Sequence, residues 1–261
     1  MNEALGRRIV IVGGLARSLV NFRGPLLQAL RAAGLDVHAA APELRSDWET
    51  RDALEKSGVT THDVVLRRTG TNPLSDIGAM WSLYRLFRQV RPDVVLGYTI
   101  KPVIYGTLAA WFARVPRRFA LITGLGYTFA DEAAGKRALL QRLVRLLYGR
   151  ALGLTHRVFF QNPDDQALFR LLGVLRDTVP SQVVNGSGVD TAYFSVASLS
   201  QGPPIFLLIS RLLAEKGVRQ RAAVTWPGDC DELVARHRPQ EYAAGRADRD
   251  PGLFQRQPCL L

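Results

Sequence analysis

Short apolar runs alternate with helix-length segments along the first two hundred residues, and this alternation limits the chain to a small set of folds. The first run, residues 8–13, reads RIVIVG, and similar strand-like runs occupy 36–42, 60–66, 93–99, 118–124, 157–162 and 181–184. Strands that alternate with helices form βαβ units with right-handed crossovers. The pattern therefore predicts an α/β fold built on a doubly wound parallel sheet.

The regular pattern also suggests a domain plan. We assign residues 1–194 to a first domain, and the Ser-, Gly- and Pro-containing stretch 195–204 to a linker. A further strand and helix start at 205–218 would open a second domain. Residues 219–261 contain seven Arg, four Pro and no Lys, and follow neither a helical nor a strand period. Either this tail is a genuine irregular extension, or the reading frame shifted near residue 217; the abrupt change favours the second interpretation.

Charge and cysteine content narrow the class of protein. The net charge of +11 favours anionic partners such as nucleotide phosphates, lipid headgroups or nucleic acid. Nucleic acid is disfavoured because the cations are scattered without a recognition motif. Cys230 and Cys259 show no metal-ligand spacing, so neither a metal nor a disulfide framework is expected. We expect no leader and no membrane-spanning segment, and therefore a cytoplasmic protein. We also expect that the protein needs no cofactor.

Candidate binding residues follow the predicted strands, where a parallel sheet presents ligands. Gly13 and Gly14 follow the first strand and would let the backbone approach a phosphate or a sugar, although a tight turn also favours glycine. The absence of a GxGxxG pattern disfavours a nicotinamide cofactor. Two later strand ends supply candidates that line the cleft: Tyr98, Thr99, Lys101, Thr123, Gly124 and Gly126.

A pair of cations marks the predicted start of the second domain. Arg211 ends a buried-type strand, and Lys216 lies five residues later near the start of a helix. Because helix N-termini favour negative charge, the pair suits an anion bound at this point. An ordinary solvated pair of cations is the alternative.

Several motifs together resemble the retaining, two-domain (type-B) glycosyltransferases of family four. Four segments carry the resemblance: DVVLGYTIKPVIYG at 93–106, ITGLGYTF at 122–129, NGSGVDTAYF at 185–194 and IFLLISRLLAEKGV at 205–218. The resemblance implies a Rossmann-like amino-terminal domain and a donor-binding second domain that is truncated here. It also implies that Arg211 and Lys216 hold the diphosphate of a nucleotide-sugar, and we place Gly13 and Gly14 at the same diphosphate from their position after the first strand.

The same resemblance implies an acceptor that is a glycan or a polyprenyl-diphosphate-linked sugar. Gly188 and Asp190 fall in the interdomain segment, with a structural role first and a cleft-lining role second. The catalytic group remains unknown. The family's histidine in the catalytic cleft has no clear counterpart here, because strand or turn positions explain His38, His62 and His156 more simply. Lys101 or Thr99 would take its place.

A strongly periodic helix is predicted at 135–152. It would place six apolar residues, from Leu139 to Leu147, on one broad face, with Gln141 and Arg142 on the other. Such a helix either packs on the core with a solvated basic face or lies on an anionic membrane at the inner face of the cell envelope.

We therefore expect a glycosyltransferase of cell-surface polysaccharide synthesis that is inactive or impaired as this chain. No pair of Glu residues with seven residues between them, as in the family, follows Lys216; Glu232 and Glu241 have eight residues between them. The alternative is a non-catalytic module that binds an acceptor or a membrane and requires a separate donor-binding partner.

Overall fold

The computed structural model describes residues 7–67, 73–124, 136–192 and 194–196. Nearly all of them belong to one compact unit, Met1–Ser195. The predicted linker, the second domain and the tail lie outside the described residues, apart from positions 195 and 196, so the proposed domain boundaries stay predictions.

Seven strands form a single sheet in which every neighbouring pair is parallel. Their order is β3-β2-β1-β4-β5-β6-β7, which confirms the predicted doubly wound α/β fold. The strands are β1 (Arg8–Val12), β2 (Asp36–Ala41), β3 (Thr60–Asp63), β4 (Val94–Tyr98), β5 (Arg117–Ile122), β6 (Arg157–Phe160) and β7 (Ser181–Val183).

Seven α-helices and one π-helical turn connect the strands within the described residues. The helices are α1 (Ala16–Asn21), α2 (Gly24–Ala32), α3 (Trp48–Lys56), α4 (Pro73–Val90), α5 (Thr107–Phe112), α6 (Lys136–Leu152) and α7 (Pro163–Leu171). The π-helical turn, Pro102–Gly106, directly precedes α5.

Helices cover both faces of the sheet, which explains why the central strands are almost wholly apolar. In β1, Ile9 and Ile11 belong to the core beneath α1, α2 and α3, whereas Val10 and Val12 belong to the core beneath α4 and α5. A third cluster joins β5 and β6 to α6 and α7 around Phe160. These three cores fix the strand ends from which the candidate site is built.

Two local predictions differ from the structure. The spacing of apolar residues at 22–33 predicts one helix, whereas the chain forms α1 and α2 with a break at Phe22 and Arg23. Pro25 in the first turn of α2 explains the new start, because proline lacks an N–H and is tolerated there. The predicted third strand is also shorter than expected, since β3 ends at Asp63.

The prediction for α6 was wrong about which side chains meet the core. Gln141 is buried, with only 7% of its surface exposed, whereas we had placed it on the solvated face. Leu139, Leu143 and Leu146 are exposed instead, Leu139 by 71%. Their spacing of four and three residues places them in one stripe along the helix. The structure therefore leaves an apolar stripe of α6 uncovered.

Candidate functional site

The strand order reverses between β1 and β4, and a doubly wound sheet opens a crevice at such a point. Gly13 and Gly14 follow β1, and Thr99 follows β4, so these residues meet at the carboxyl edge of the sheet. The Gly13 N–H donates to the carbonyl of Ala40, 2.9 Å away, which extends the pairing with β2 by one residue. The predicted Gly-Gly and Tyr-Thr segments thus lie side by side.

The two glycines are required by close packing at this crevice. A Cβ atom on Gly13 would lie 2.4 Å from the hydroxyl oxygen of Tyr98, and one on Gly14 would lie 2.8 Å from the hydroxyl oxygen of Thr99. Neither distance is compatible with a side chain at the glycine position. Packing is thus one sufficient reason for glycine here, and it keeps the backbone of both strand ends close together.

Thr99 adopts a backbone conformation that is uncommon for a residue with a branched side chain. Its φ is +68°, in the left-handed region. The Thr99 carbonyl accepts a hydrogen bond from the N–H of Val103 at 3.0 Å, at the start of the π-helical turn. Conformations of this kind cost about 1–3 kcal/mol and cluster at functional sites. The strained residue lies at the predicted position, beside Gly14.

Lys101, which we predicted to line the cleft, is engaged by an acid on α4. Its ammonium group lies 2.7 Å from one carboxylate oxygen of Asp76, and the hydroxyl of Tyr105 donates to the other oxygen at 2.8 Å. Both members of the ion pair are largely buried. The pair fixes the π-helical turn on α4, so the charge of Lys101 is already balanced within the protein.

A buried polar cluster of Tyr98, Ser18 and Arg23 lies behind the crevice. We predicted that Tyr98 lines the cleft, and its burial corrects that prediction, whereas the sequence analysis missed Ser18 and Arg23. Tyr98 is only 2% exposed, and its hydroxyl shares a 2.7 Å hydrogen bond with that of Ser18. The guanidinium of Arg23 lies over the Tyr98 ring, 4.9 Å from its centre, and Arg23 is 5% exposed. Burial lowers the pKa of the Arg23 guanidinium from its ordinary value. Burial also raises the pKa of the Tyr98 hydroxyl from its ordinary value.

The same arginine reaches the segment that follows β7. Its Nη1 atom donates to the Ser187 hydroxyl at 2.7 Å and to the Phe22 carbonyl at 3.0 Å. Gln161, at the end of β6, donates to the same hydroxyl at 3.3 Å. Arg23 thereby contacts Ser187, which is 164 positions away in the chain.

The remaining predicted residues differ in how they relate to this crevice. Thr123 and Gly124 follow β5, one strand further along the same edge, and Gly124 has a φ of +144°. Gly188 follows Ser187 with a φ of +73°, so a left-handed turn is its evident role. The carboxylate of Asp190 accepts from the Ala192 N–H at 2.9 Å, as a turn residue does. Gly126, Arg211 and Lys216 lie outside the described residues.

The histidines have structural partners away from this crevice. His38 and His62 stack with ring centroids 5.1 Å apart, and their nitrogens lie 2.8 Å apart. Burial, and then the neighbouring His38, lower the pKa of His62. His156 accepts from the backbone N–H of Arg118 at 3.2 Å. In the described part of the chain, no group of three or more His, Cys, Asp or Glu side chains is arranged to hold a metal ion.

Most of the described chain matches a known family of proteins. The family model described as "Glycosyl transferase 4-like domain" matches residues 21–181. A curated relative from Campylobacter jejuni, N,N'-diacetylbacillosaminyl-diphospho-undecaprenol alpha-1,3-N-acetylgalactosaminyltransferase, is 25% identical over 226 residues, which are 82% of this chain and 58% of the relative. The chain therefore spans little more than half the length of that protein.

Solved structures extend the comparison of the fold. A glycosyltransferase from Rickettsia africae matches with a TM-score of 0.50 and 15% identity, over 75% of this chain and 46% of its own. MurG from Acinetobacter baumannii matches with a TM-score of 0.47 and 14% identity, over 72% of this chain and 47% of its own.

Proposed function

The chain belongs to the glycosyl transferase 4-like domain family of bacterial family-four glycosyltransferases, and from this premise we propose that the whole protein moves a sugar from a nucleotide-sugar to a glycan or polyprenyl-diphosphate-linked acceptor. The observation that carries the proposal is the family match over residues 21–181, which includes β4 and its strained end at Thr99. The name of the Campylobacter relative includes the term diphospho-undecaprenol, and this supports a lipid-linked acceptor here.

In this proposal the crevice between β1 and β4 faces the donor diphosphate and the acceptor. The close backbones at Gly13 and Gly14 would approach the donor diphosphate, with Arg211 and Lys216 supplying positive charge from the second domain. Such charges stabilise a departing diphosphate. Thr99 and Thr123 would line the acceptor side, and the buried Tyr98 would support them from behind. Lys101 would act there through the position of the π-helical turn, because Asp76 neutralises its charge.

The activity is proposed for the whole protein, because this chain spans 58% of its curated relative. For the chain alone, we expect binding of an acceptor with little or no transfer. The alternative function, a non-catalytic module that binds an acceptor or a membrane and works with a separate donor-binding partner, predicts the same behaviour. The two functions differ in whether a longer form of the protein transfers sugar by itself.

A transfer assay tests the proposal. Radiolabelled nucleotide-sugars would be offered, with a polyprenyl-diphosphate-linked sugar, to this chain and to a longer form that carries a complete donor domain. We expect labelled lipid only from the longer form, and loss of that product when the side chain introduced by Gly14→Val displaces Thr99. Gly24→Ala, at a position with no atom within 4 Å of a new Cβ, is the control. Failure of the longer form to transfer any sugar would contradict the proposal.

We also propose that the protein associates peripherally with the cytoplasmic face of the membrane, through α6. No described helix is long and apolar enough to cross a bilayer. The exposed stripe of Leu139, Leu143 and Leu146 is accompanied by Arg142 and Arg150, which are exposed on the same helix. Apolar side chains flanked by arginines suit the interface of an anionic membrane.

Replacing all three leucines of this stripe with glutamine should abolish binding to anionic vesicles. Each fully buried leucine contributes about 1.5–3 kcal/mol, so we expect at least about a hundredfold weaker partitioning even if burial is partial. The measurement is co-sedimentation with vesicles that contain phosphatidylglycerol, compared with vesicles of phosphatidylcholine alone. Leu171→Gln is the control because Leu171 is 82% exposed on α7. Equal binding by the triple variant and the parent would contradict a role for α6.

A further inference from the structure

Arg23 is a buried cation without a counter-charge. It is 5% exposed, and within the described part of the chain it forms no ion pair with a carboxylate. Lys101, the other well-buried cation near the crevice, has Asp76 at 2.7 Å. The contrast matters because a protein seldom buries a charge without a partner.

The contacts of the guanidinium are all neutral and leave donors unused. One terminal nitrogen, Nη1, donates to the Ser187 hydroxyl and the Phe22 carbonyl, and the ring of Tyr98 covers one face. The Nε atom is buried and has no hydrogen-bond partner among the described residues. A guanidinium has five N–H donors, so the described contacts satisfy only part of it.

The local backbone offsets only part of this charge, through the Phe22 carbonyl at the C-terminal end of α1. Arg23 is the N-cap residue of α2, and the first turn of that helix contains no acidic residue. Because the N-terminus of a helix carries partial positive charge, α2 adds to the positive potential of the arginine. An anion supplied from outside the protein would offset both.

We propose that Arg23 binds a phosphate group of a substrate at the carboxyl edge of the sheet, behind the crevice between β1 and β4. The proposal rests on the proposed function, which supplies diphosphates of two origins, the nucleotide-sugar and the lipid-linked acceptor. A planar guanidinium with free N–H groups matches phosphate oxygens in geometry as well as in charge. Tyr98 connects the arginine to the crevice, since the Tyr98 hydroxyl lies against Gly13.

Binding of inorganic pyrophosphate to the full chain tests this assignment. Calorimetric titration at low salt would compare the parent with Arg23→Met and with Arg17→Met, which removes the same charge from an exposed arginine on α1. We expect Arg23→Met to weaken binding at least about tenfold, as loss of a hydrogen bond to a charged group implies, and Arg17→Met to leave it nearly unchanged.

Thermal unfolding without ligand separates an anion site from a structural tether. A tether that holds Ser187 would make Arg23→Met unfold at a lower temperature and leave the rise caused by pyrophosphate intact, which would overturn the proposal. An anion site predicts that the variant without ligand is at least as stable as the parent, and that pyrophosphate no longer raises its melting temperature. Ser187→Ala, which removes the neutral contact and keeps the cation, should retain that rise.

The source of the phosphate follows from two further titrations, with uridine diphosphate and with geranyl diphosphate. If Arg23→Met weakens only the binding of uridine diphosphate, the site binds the donor. If it weakens only the binding of geranyl diphosphate, the site binds the acceptor. If it weakens the binding of both, the site accepts either diphosphate. Unchanged binding of both would overturn the proposal. These titrations do not require transfer, so the site can be supported even if the proposed transferase activity fails.

Discussion

Gly97→Ala should lower the free energy of unfolding by about 3 kcal/mol, at the upper end of the range for inserting a methyl group into a packed interior. A Cβ atom at this position would lie 2.7 Å from the carbonyl oxygen of Pro102 and 3.3 Å from the Cα of Val103. Both neighbours are backbone atoms of the π-helical turn. They cannot rotate away as a side chain does, so β4 and the turn must separate.

The matched control for this substitution lies at the other end of the turn. Gly106 is buried, but no atom lies within 4 Å of a Cβ placed on it, and its φ is not positive. Gly106→Ala should therefore be neutral, or stabilising by roughly 0.5–1 kcal/mol, because alanine loses less backbone entropy in a helix. Urea unfolding of both variants measures the difference. Equal midpoints would show that the turn adjusts without cost.

The separation caused by Gly97→Ala would also reach the site. Thr99 and Lys101, the partner of Asp76, lie on the segment that must shift, and Thr99 has little freedom in its left-handed conformation. We therefore expect the alanine variant to lose acceptor binding even at temperatures where it remains folded. Gly106→Ala should keep that binding.

Phe169→Ala should destabilise the protein by about 3–5 kcal/mol, the usual loss when a large aromatic side chain leaves a cavity in a core. Phe169 is fully buried on α7 and makes edge-to-face contacts with Tyr148 and Phe160, with ring centroids 5.4 Å apart in both pairs. It thus connects α6, α7 and β6. Removal of its ring takes one partner from each of the other two aromatic residues.

Leu171→Ala provides the comparison on the same helix. Leu171 is 82% exposed, and surface substitutions of this kind usually change stability by less than about 0.5 kcal/mol. Both variants would be unfolded in urea while far-ultraviolet circular dichroism is recorded. A loss below 1.5 kcal/mol for Phe169→Ala, about half the low end of the expected range, would mean that the third core collapses to fill the space.

Most of the fold could be predicted because the strands obey one simple rule. Residues such as Ile9 to Val12 are apolar on both faces, which occurs in parallel sheets covered by helices on both sides. The sequence predicts a helix at 48–56, and α3 has these bounds; Asp47 caps its start by accepting from the Thr50 N–H. Local signals of this kind are visible in a sequence.

The parts that sequence reasoning missed depend on contacts between distant residues. Lys101 reads as a free cation until the fold brings Asp76 beside it, 25 positions away. Arg23 lies in an otherwise ordinary helical pattern, and nothing near it in the sequence indicates that its side chain is buried. The side chains of α6 that meet the core were predicted only in part for the same reason: Val144 and Leu147 pack there as expected, whereas the burial of Gln141 is decided by its neighbours in space.

The contact between Arg23 and Ser187 also sets an order of events during synthesis of the chain. On a ribosome, β1, β2 and β3 emerge and can pair first, whereas β4 can join β1 only after nearly a hundred residues have been made. The hydroxyl that meets the arginine follows 164 positions after it. Sheets joined by such long-range pairs fold slowly and keep apolar edges exposed for longer. A nascent chain that has reached β4 can therefore form the crevice between β1 and β4, but Arg23 cannot yet contact Ser187.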